Sequence, residues 1–297
     1  MARRIERGDT VNSKNWRSFL FVPADNERLL QSALGKPCDV IILDLEDGTH
    51  PSRKDAARAA LPQAIHRVRQ SGKVAAVRIN GDLDTAVNDL RIAVCESLEL
   101  ILLPKVEHAR DVQLLAGLVS TLEGRSGITD GQVRFLLQIE SAAALPRLHD
   151  IAAADPRVMG MMLGSEDFSL DCGGLPTPEA LLAPSLMVLY AARAARIQPI
   201  GFIGSIADLG DVVTFTGRLE QARGLGFRGA VIVHPKFLDA VNNCYTPSPA
   251  AIAEAQEVVS AFELADTQGI GALKINGKMV DKPVYRKALN LLAEVAR

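Results

Sequence analysis

Cysteine is scarce in this chain and scattered. Cys38, Cys95, Cys172 and Cys244 show no CxxC spacing and no adjacent histidine, which excludes the common zinc arrangements and predicts reduced thiols in a cytoplasmic protein. Long apolar runs are missing as well. No stretch approaches the length of a membrane span, and residues 1–16 lack the apolar centre of a secretory signal, so they read as a flexible arm with no membrane partner. An organelle presequence is the alternative for that arm, and Glu6 and Asp9 weigh against it. Nor does one sign of charge dominate. The 33 Lys and Arg residues nearly balance 35 Asp and Glu and are dispersed, so the footprint of a nucleic-acid binder is lacking. No GxGxxG follows the first apolar run, which removes the usual support for an open dinucleotide-binding sheet.

What is there is alternation. Short apolar runs at 19–22, 40–45, 74–79, 100–103, 135–139, 158–163, 200–203 and 230–233 read as parallel strands buried on both faces. Between them, 27–34, 53–68, 85–95, 109–122, 142–153, 179–195 and 211–225 carry helical periodicity. Eight such repeats in 297 residues, with hydrophobic residues near half the chain, predict one closed (β/α)8 TIM barrel over residues 17–246. A C-terminal extension, 247–297, follows. Ser248-Pro249 suits the start of a helix reaching Leu264, Asn276-Gly277 a tight hairpin turn, and residues after Pro283 a last helix. That extension is placed to cover its own site or a neighbour's.

The strand ends hold the chemistry. Asp44-Leu45-Glu46-Asp47, Arg78-Ile79-Asn80, Pro104-Lys105-Val106-Glu107, Glu140 and Glu166-Asp167 are the charged closings of apolar runs, and barrel enzymes build their sites at that face. Glu140 and Asp167 pair as candidate ligands of a divalent metal, because buried carboxylates need hydrogen bonds or a cation and Mg2+ takes one or two of them. A salt bridge, or a helix cap at Ser165-Glu166-Asp167, is the other reading of the same residues.

Taken in order, Arg17 to Pro23, Asp44 to Asp47, Val77-Arg78-Ile79-Asn80, Leu103 to Glu107, Gln138-Ile139-Glu140-Ser141, Gly164 to Phe168 and Gly277-Lys278-Met279-Val280-Asp281 resemble the citrate lyase β-subunit family, within the HpcH/HpaI aldolases and CoA-ester lyases. The resemblance implies a barrel that makes or breaks a carbon–carbon bond beside a CoA thioester, with CoA as part of the substrate and homotrimers or hexamers as the assembly. It implies Mg2+, with Mn2+ able to substitute, held by Glu140 and Asp167. It also implies Arg78 as the site arginine and Asp281 as a residue supplied to the adjacent subunit. Phe237, Ala144 and Pro184-Ser185 depart from the family pattern at glutamine, glycine and arginine positions.

Cleavage of malyl-CoA, citramalyl-CoA or citryl-CoA would need three things: a polarised leaving carbonyl, a donor for the enolate oxygen, and a proton for the enolate carbon. The metal answers the first and the permanent charge of Arg78 the second. Asp281 answers the third, its alternative being a cap for the final helix. Asp44 and Glu46 are expected to orient Arg78 or the metal's waters; Asp47 does the same or merely forms a turn with Gly48. Arg17 and Lys105 are candidates for CoA phosphates or else strand-end ion pairs. His234 is expected to be structural. Thioester hydrolysis, aldol cleavage of free 2-keto acids, and membership of a multi-chain citrate lyase complex are the alternative activities; a non-catalytic binding barrel is the remaining one.

Overall fold

The structure, a computed structural model, describes residues 16–295; residues 1–15 of the predicted arm lie outside them. Eight strands run β1 (Ser18–Pro23), β2 (Val40–Asp44), β3 (Val74–Arg78), β4 (Leu100–Leu103), β5 (Arg134–Ile139), β6 (Val158–Leu163), β7 (Gln198–Pro199) and β8 (Ala230–Ile232). Each pairs in parallel with its sequence neighbour as far as β7, and β8 pairs with β1. The remaining seam is joined by two backbone bonds of 2.9 Å, Arg228 N–H to Pro199 C=O and Gly201 N–H to Gly229 C=O. The (β/α)8 barrel expected from the alternation is therefore the fold found, closed without a free sheet edge.

Period two along the strands decides where the chemistry goes. Successive side chains of a strand point to opposite faces. Val40 and Ile42, Val74 and Ala76, Leu100 and Leu102, Leu136, Met162 and Val231 form one buried cluster. Continuing the same parity by one step puts Asp44 after Ile42, Arg78 after Ala76, and Gln138 then Glu140 after Leu136. Asp44 stands opposite Arg78 in the β2–β3 register.

Around the barrel run α1 (Glu27–Leu34), α2 (Lys54–Gln70), α3 (Leu83–Ala93), α4 (Ala109–Arg125), α5 (Leu148–Ala152), α6 (Ser165–Asp171), α7 (Pro178–Ala194), α8 (Val212–Leu225) and α9 (Leu238–Tyr245). Asn26, Asp82, Thr177 and Asp211 cap α1, α3, α7 and α8 through side-chain oxygens. Three expectations need correcting. The helix expected over 142–153 is a 3-10 segment, Ala142–Arg147, followed by the short α5, because Pro146 removes an N–H and disfavours helical backbone before it. The seventh strand lies two residues earlier than the apolar run 200–203, since Gly201 takes φ 141°, outside strand geometry. Helices α6 and α9 were not foreseen as helices.

Contacts divide the chain after Asn242, within α9. The second unit holds α10 (Pro249–Thr267), the antiparallel hairpin β9 (Leu273–Ile275) and β10 (Lys278–Val280), and α11 (Lys282–Val295). Ser248 caps α10, and Asn276-Gly277 makes the hairpin turn with both residues at positive φ, as read from the sequence. Ala255, Val258, Phe262, Val280 and Ala288 form its core, with Phe262 stacked on Tyr285 at 4.7 Å. Among the described residues, no helix is long and apolar enough to cross a membrane.

Candidate active site

A cavity of about 500 Å³ is lined by Asp44, Asp47, Arg78, Gln138, Glu140 and Asp167 above apolar side chains that include Phe21 and Met162. Arg78 is the fixed point. Its Nε and Nη2 bond both oxygens of Asp44 at 2.7 and 2.6 Å, and Nη1 meets Glu46 Oε2 at 3.0 Å. The guanidinium carbon lies 4.7 Å from the centre of the Phe21 ring. Asp44 is 3% exposed and is held in turn by the N–H groups of Glu46 and Gly48. Gly48 is needed there: a Cβ would come within 2.3 Å of Asp44 Oδ2. Hydrogen bonds and charge from Asp44, with Glu46 and Asp47 adding charge, outweigh burial and hold Arg78 above its ordinary pKa, so the guanidinium stays charged.

Glu140, 5% exposed, directly follows β5. Its Oε2 accepts the Lys105 N–H at 2.7 Å and its Oε1 accepts from Gln138 Nε2 at 2.7 Å. Lys105 makes its bond from a left-handed backbone with φ 53°, a conformation that a non-glycine residue adopts at a cost and that recurs at functional sites. Burial foremost, then the charges of Glu46 and Asp167, push the Glu140 carboxyl up to about 8. Burial also raises Glu46. Asp167 lies on the first turn of α6, and its Oδ2 is 3.8 Å from Lys105 Nζ, which meets Glu46 Oε1 at 3.0 Å.

These residues fit a divalent cation. Asp44, Glu46, Asp47, Glu140 and Asp167 set five carboxylates against the two cations Arg78 and Lys105, an excess of negative charge that adds to burial in raising the Glu140 carboxyl. A cation between Glu140 and Asp167 would relieve it. Each Glu140 oxygen has one hydrogen-bond donor and so keeps a lone pair for an ion. No three His, Cys, Asp or Glu side chains converge as a cage among the described residues. That excludes a closed zinc site and suits Mg2+, which uses one or two carboxylates and fills its other positions with water and substrate oxygens.

Asp44, Glu46, Arg78, Lys105, Glu140 and Asp167 are thus brought together as expected, although Lys105 turns its ammonium inward to carboxylates. Arg17 is not with them. It precedes β1, and its backbone N–H, Nε and Nη2 all bond Asp39, the residue before β2, at 2.7, 3.0 and 2.7 Å. In a parallel barrel the strand beginnings face away from the strand ends, so the assignment of Arg17 to CoA phosphates is corrected to a strand-start ion pair. Asp281 belongs to the second unit, where its Oδ1 accepts the Val284 N–H at 3.2 Å and caps α11. His234 Nδ1 accepts the Lys236 N–H at 3.1 Å. Sequence reasoning gave Gln138 and Gly164 no role beyond the family resemblance they help carry, and Gly48 only a turn with Asp47. Gln138 was readable as a polar residue in an inward position of a buried strand; the close approaches that require the two glycines were not.

The family model described as HpcH/HpaI aldolase/citrate lyase matches residues 17–235. The citrate lyase subunit beta of Leuconostoc mesenteroides subsp. cremoris is 33% identical over 285 residues, covering 95% of this chain and 93% of that one. The L-malyl-CoA/beta-methylmalyl-CoA lyase of Cereibacter sphaeroides is 33% identical over 296 residues, with 92% of each chain covered. Among solved structures, the protein CitE from Mycobacterium tuberculosis, in complex with magnesium, acetoacetate and coenzyme A, is similar with a TM-score of 0.71 and 28% identity, over 96% of this chain and 100% of that one.

Proposed function

Because the chain belongs to the HpcH/HpaI aldolase/citrate lyase family, we propose that it is a Mg2+-dependent carbon–carbon lyase acting on a 3-hydroxyacyl-CoA thioester of the malyl-CoA, citramalyl-CoA or citryl-CoA kind. The reading rests on one cavity in which a doubly anchored arginine faces the carboxylate pair Glu140 and Asp167. When bound between that pair, Mg2+ supplies Lewis-acid polarisation of substrate oxygen. Mn2+ can take its place.

The chain's own residues do the rest. Two hydrogen bonds to Asp44 and an ion pair with Glu46 hold Arg78 rigid, and its remaining N–H groups meet the thioester oxygen as it becomes an enolate oxygen. Asp44 and Glu46 are positioning residues that keep the fork planar to the substrate and balance its charge. Lys105, half exposed, serves the anionic part of the substrate. Asp281 delivers the proton to the enolate carbon, in an assembly of three or six copies where it enters the neighbouring copy's site. We further infer a cytoplasmic location, in keeping with the free thiols of Cys38, Cys95 and Cys172.

The test is direct: incubate the protein with Mg2+ and malyl-CoA, citramalyl-CoA, 3-hydroxy-3-methylglutaryl-CoA or citryl-CoA and identify the products by mass spectrometry. Acetyl-CoA with a keto or aldehyde acid is the expected outcome. Free CoA instead would make the site a thioesterase, and turnover of free 2-keto acids alone would make it an aldolase.

Asp281→Asn offers a separate check. Asparagine caps a helix as well as aspartate does, so the melting temperature should not move, while turnover should fall about 10²-fold or more with the proton donor gone. Mixing this variant with Glu140→Gln and allowing subunits to exchange should restore part of the activity. No recovery in a mixture that light scattering shows to have exchanged would confine Asp281 to its own subunit.

A further inference from the structure

Gln138 is a polar residue in a position that the barrel's inward period reserves for apolar ones, directly above Leu136 and two residues before Glu140. The residue is 5% exposed. A carboxylate only accepts hydrogen bonds, so the amide presents its NH2, and Nε2 donates to Glu140 Oε1 at 2.7 Å. The other end, Oε1, is buried and has no hydrogen-bond partner in the protein. A buried carbonyl without a partner is a liability for folding, so the residue is poorly explained as a stabilising element. The space around the pair is equally specific. Gly164, which follows β6, leaves room for it: a Cβ there would lie 2.5 Å from Glu140 Cγ, 2.7 Å from Glu140 Oε1 and 2.8 Å from Gln138 Nε2.

We propose that Gln138 is a positioning residue for cation binding: it clamps one oxygen of Glu140 while the Lys105 N–H clamps the other, so that the carboxylate's plane and free lone pairs are set before an ion arrives. The inference rests on the reading of Glu140 and Asp167 as metal ligands. Partners that orient a ligating carboxylate commonly change metal affinity by about 10- to 100-fold when removed. The unmatched Oε1 adds a second, opposite expectation, because taking the carboxamide away also takes away a buried orphan acceptor. Affinity and stability should therefore move independently.

The experiment measures Mn2+ binding by electron paramagnetic resonance, without substrate, in the wild-type protein, in Gln138→Met and in Gln138→Asn, together with melting temperatures of the same metal-free samples. Methionine keeps the length and volume without the donor; asparagine keeps the amide but is one methylene short. Both variants are expected to bind Mn2+ about tenfold more weakly or worse, with the methionine variant melting at the wild-type temperature or above it. Unchanged Mn2+ affinity in both would overturn the proposal, as would lowered melting temperatures with full affinity, or failure of both variants to fold, since each makes Gln138 purely structural. A wild-type protein that binds no Mn2+ would instead overturn the metal reading on which the proposal stands.

Discussion

Glu140→Gln is expected to lower turnover by about 10³-fold or more, the scale on which losing several kcal/mol of metal-derived stabilisation acts, and to remove the rise in melting temperature that Mg2+ produces in the wild-type protein. The fold should tolerate the change. Glutamine keeps the shape, and Oε1 and Oε2 of Glu140 are met by donors, one of which the new amide retains at its carbonyl. The pH dependence distinguishes loss of a ligand from general damage. In the unfolded chain this carboxyl titrates near 4.5, and in the folded, metal-free protein near 8. Below the lower value both forms carry the proton and the contribution to stability is complete; as pH rises through about 8 the folded protein gives the proton up into a buried, acidic site and the contribution is lost. Metal-free wild-type protein should thus melt lower as pH rises across that window, and Mg2+ should restore more of the loss the higher the pH, because binding displaces the proton. The glutamine variant has no proton to lose at this position. Its melting temperature should be flatter with pH and indifferent to Mg2+. A variant that still responds to Mg2+ as the wild type does would remove Glu140 from the metal site.

The second large effect belongs to Arg78. Lysine at this position keeps a positive charge but loses the planar fork, so the paired bonds to Asp44 cannot both form in their present geometry. Turnover by Arg78→Lys should fall about 10²- to 10³-fold, as when one oriented donor to a developing oxyanion is removed. Methionine goes further. Asp44 and Glu46, 3% and 4% exposed, would be left buried without their cation, a situation that typically costs about 3–5 kcal/mol. Urea denaturation should therefore separate the two variants, lysine unfolding near the wild-type midpoint and methionine well below it. Equal stabilities would mean that the Asp44 and Glu46 carboxyls are neutralised by another route, and near-wild-type turnover in the lysine variant would assign the enolate oxygen to a different donor.

Much of this site was legible because its logic is local and repetitive. Short buried runs with charge at or a few residues past their ends occur at β2, β3, β5 and β6, and alternation by two residues carries Asp44, Arg78 and Glu140 to the same side as the apolar residues before them. The Ser248 helix cap and the Asn276-Gly277 turn are decided within three or four residues and were readable in the same way. Boundaries failed where a single residue vetoed a periodic pattern, as Pro146 did in the segment before α5 and Gly201 after β7.

By itself, then, the sequence determined the eight repeats, the rim on which the acids and Arg78 gather, and the turn and caps of the second unit, because each follows from backbone geometry over a few residues. Only the tertiary structure decided partners. Arg17 and Asp39, 22 residues apart, meet at the strand starts; Arg78 reaches back 34 residues to Asp44; and the Lys105 N–H reaches forward 35 to Glu140. Those pairings arise when the barrel closes and sets strand beside strand in one register. The room that Gly164 leaves for Glu140 and Gln138 comes from the same closure, since a contact between neighbouring strands depends on the stagger of their hydrogen bonds, which no stretch of either strand carries alone.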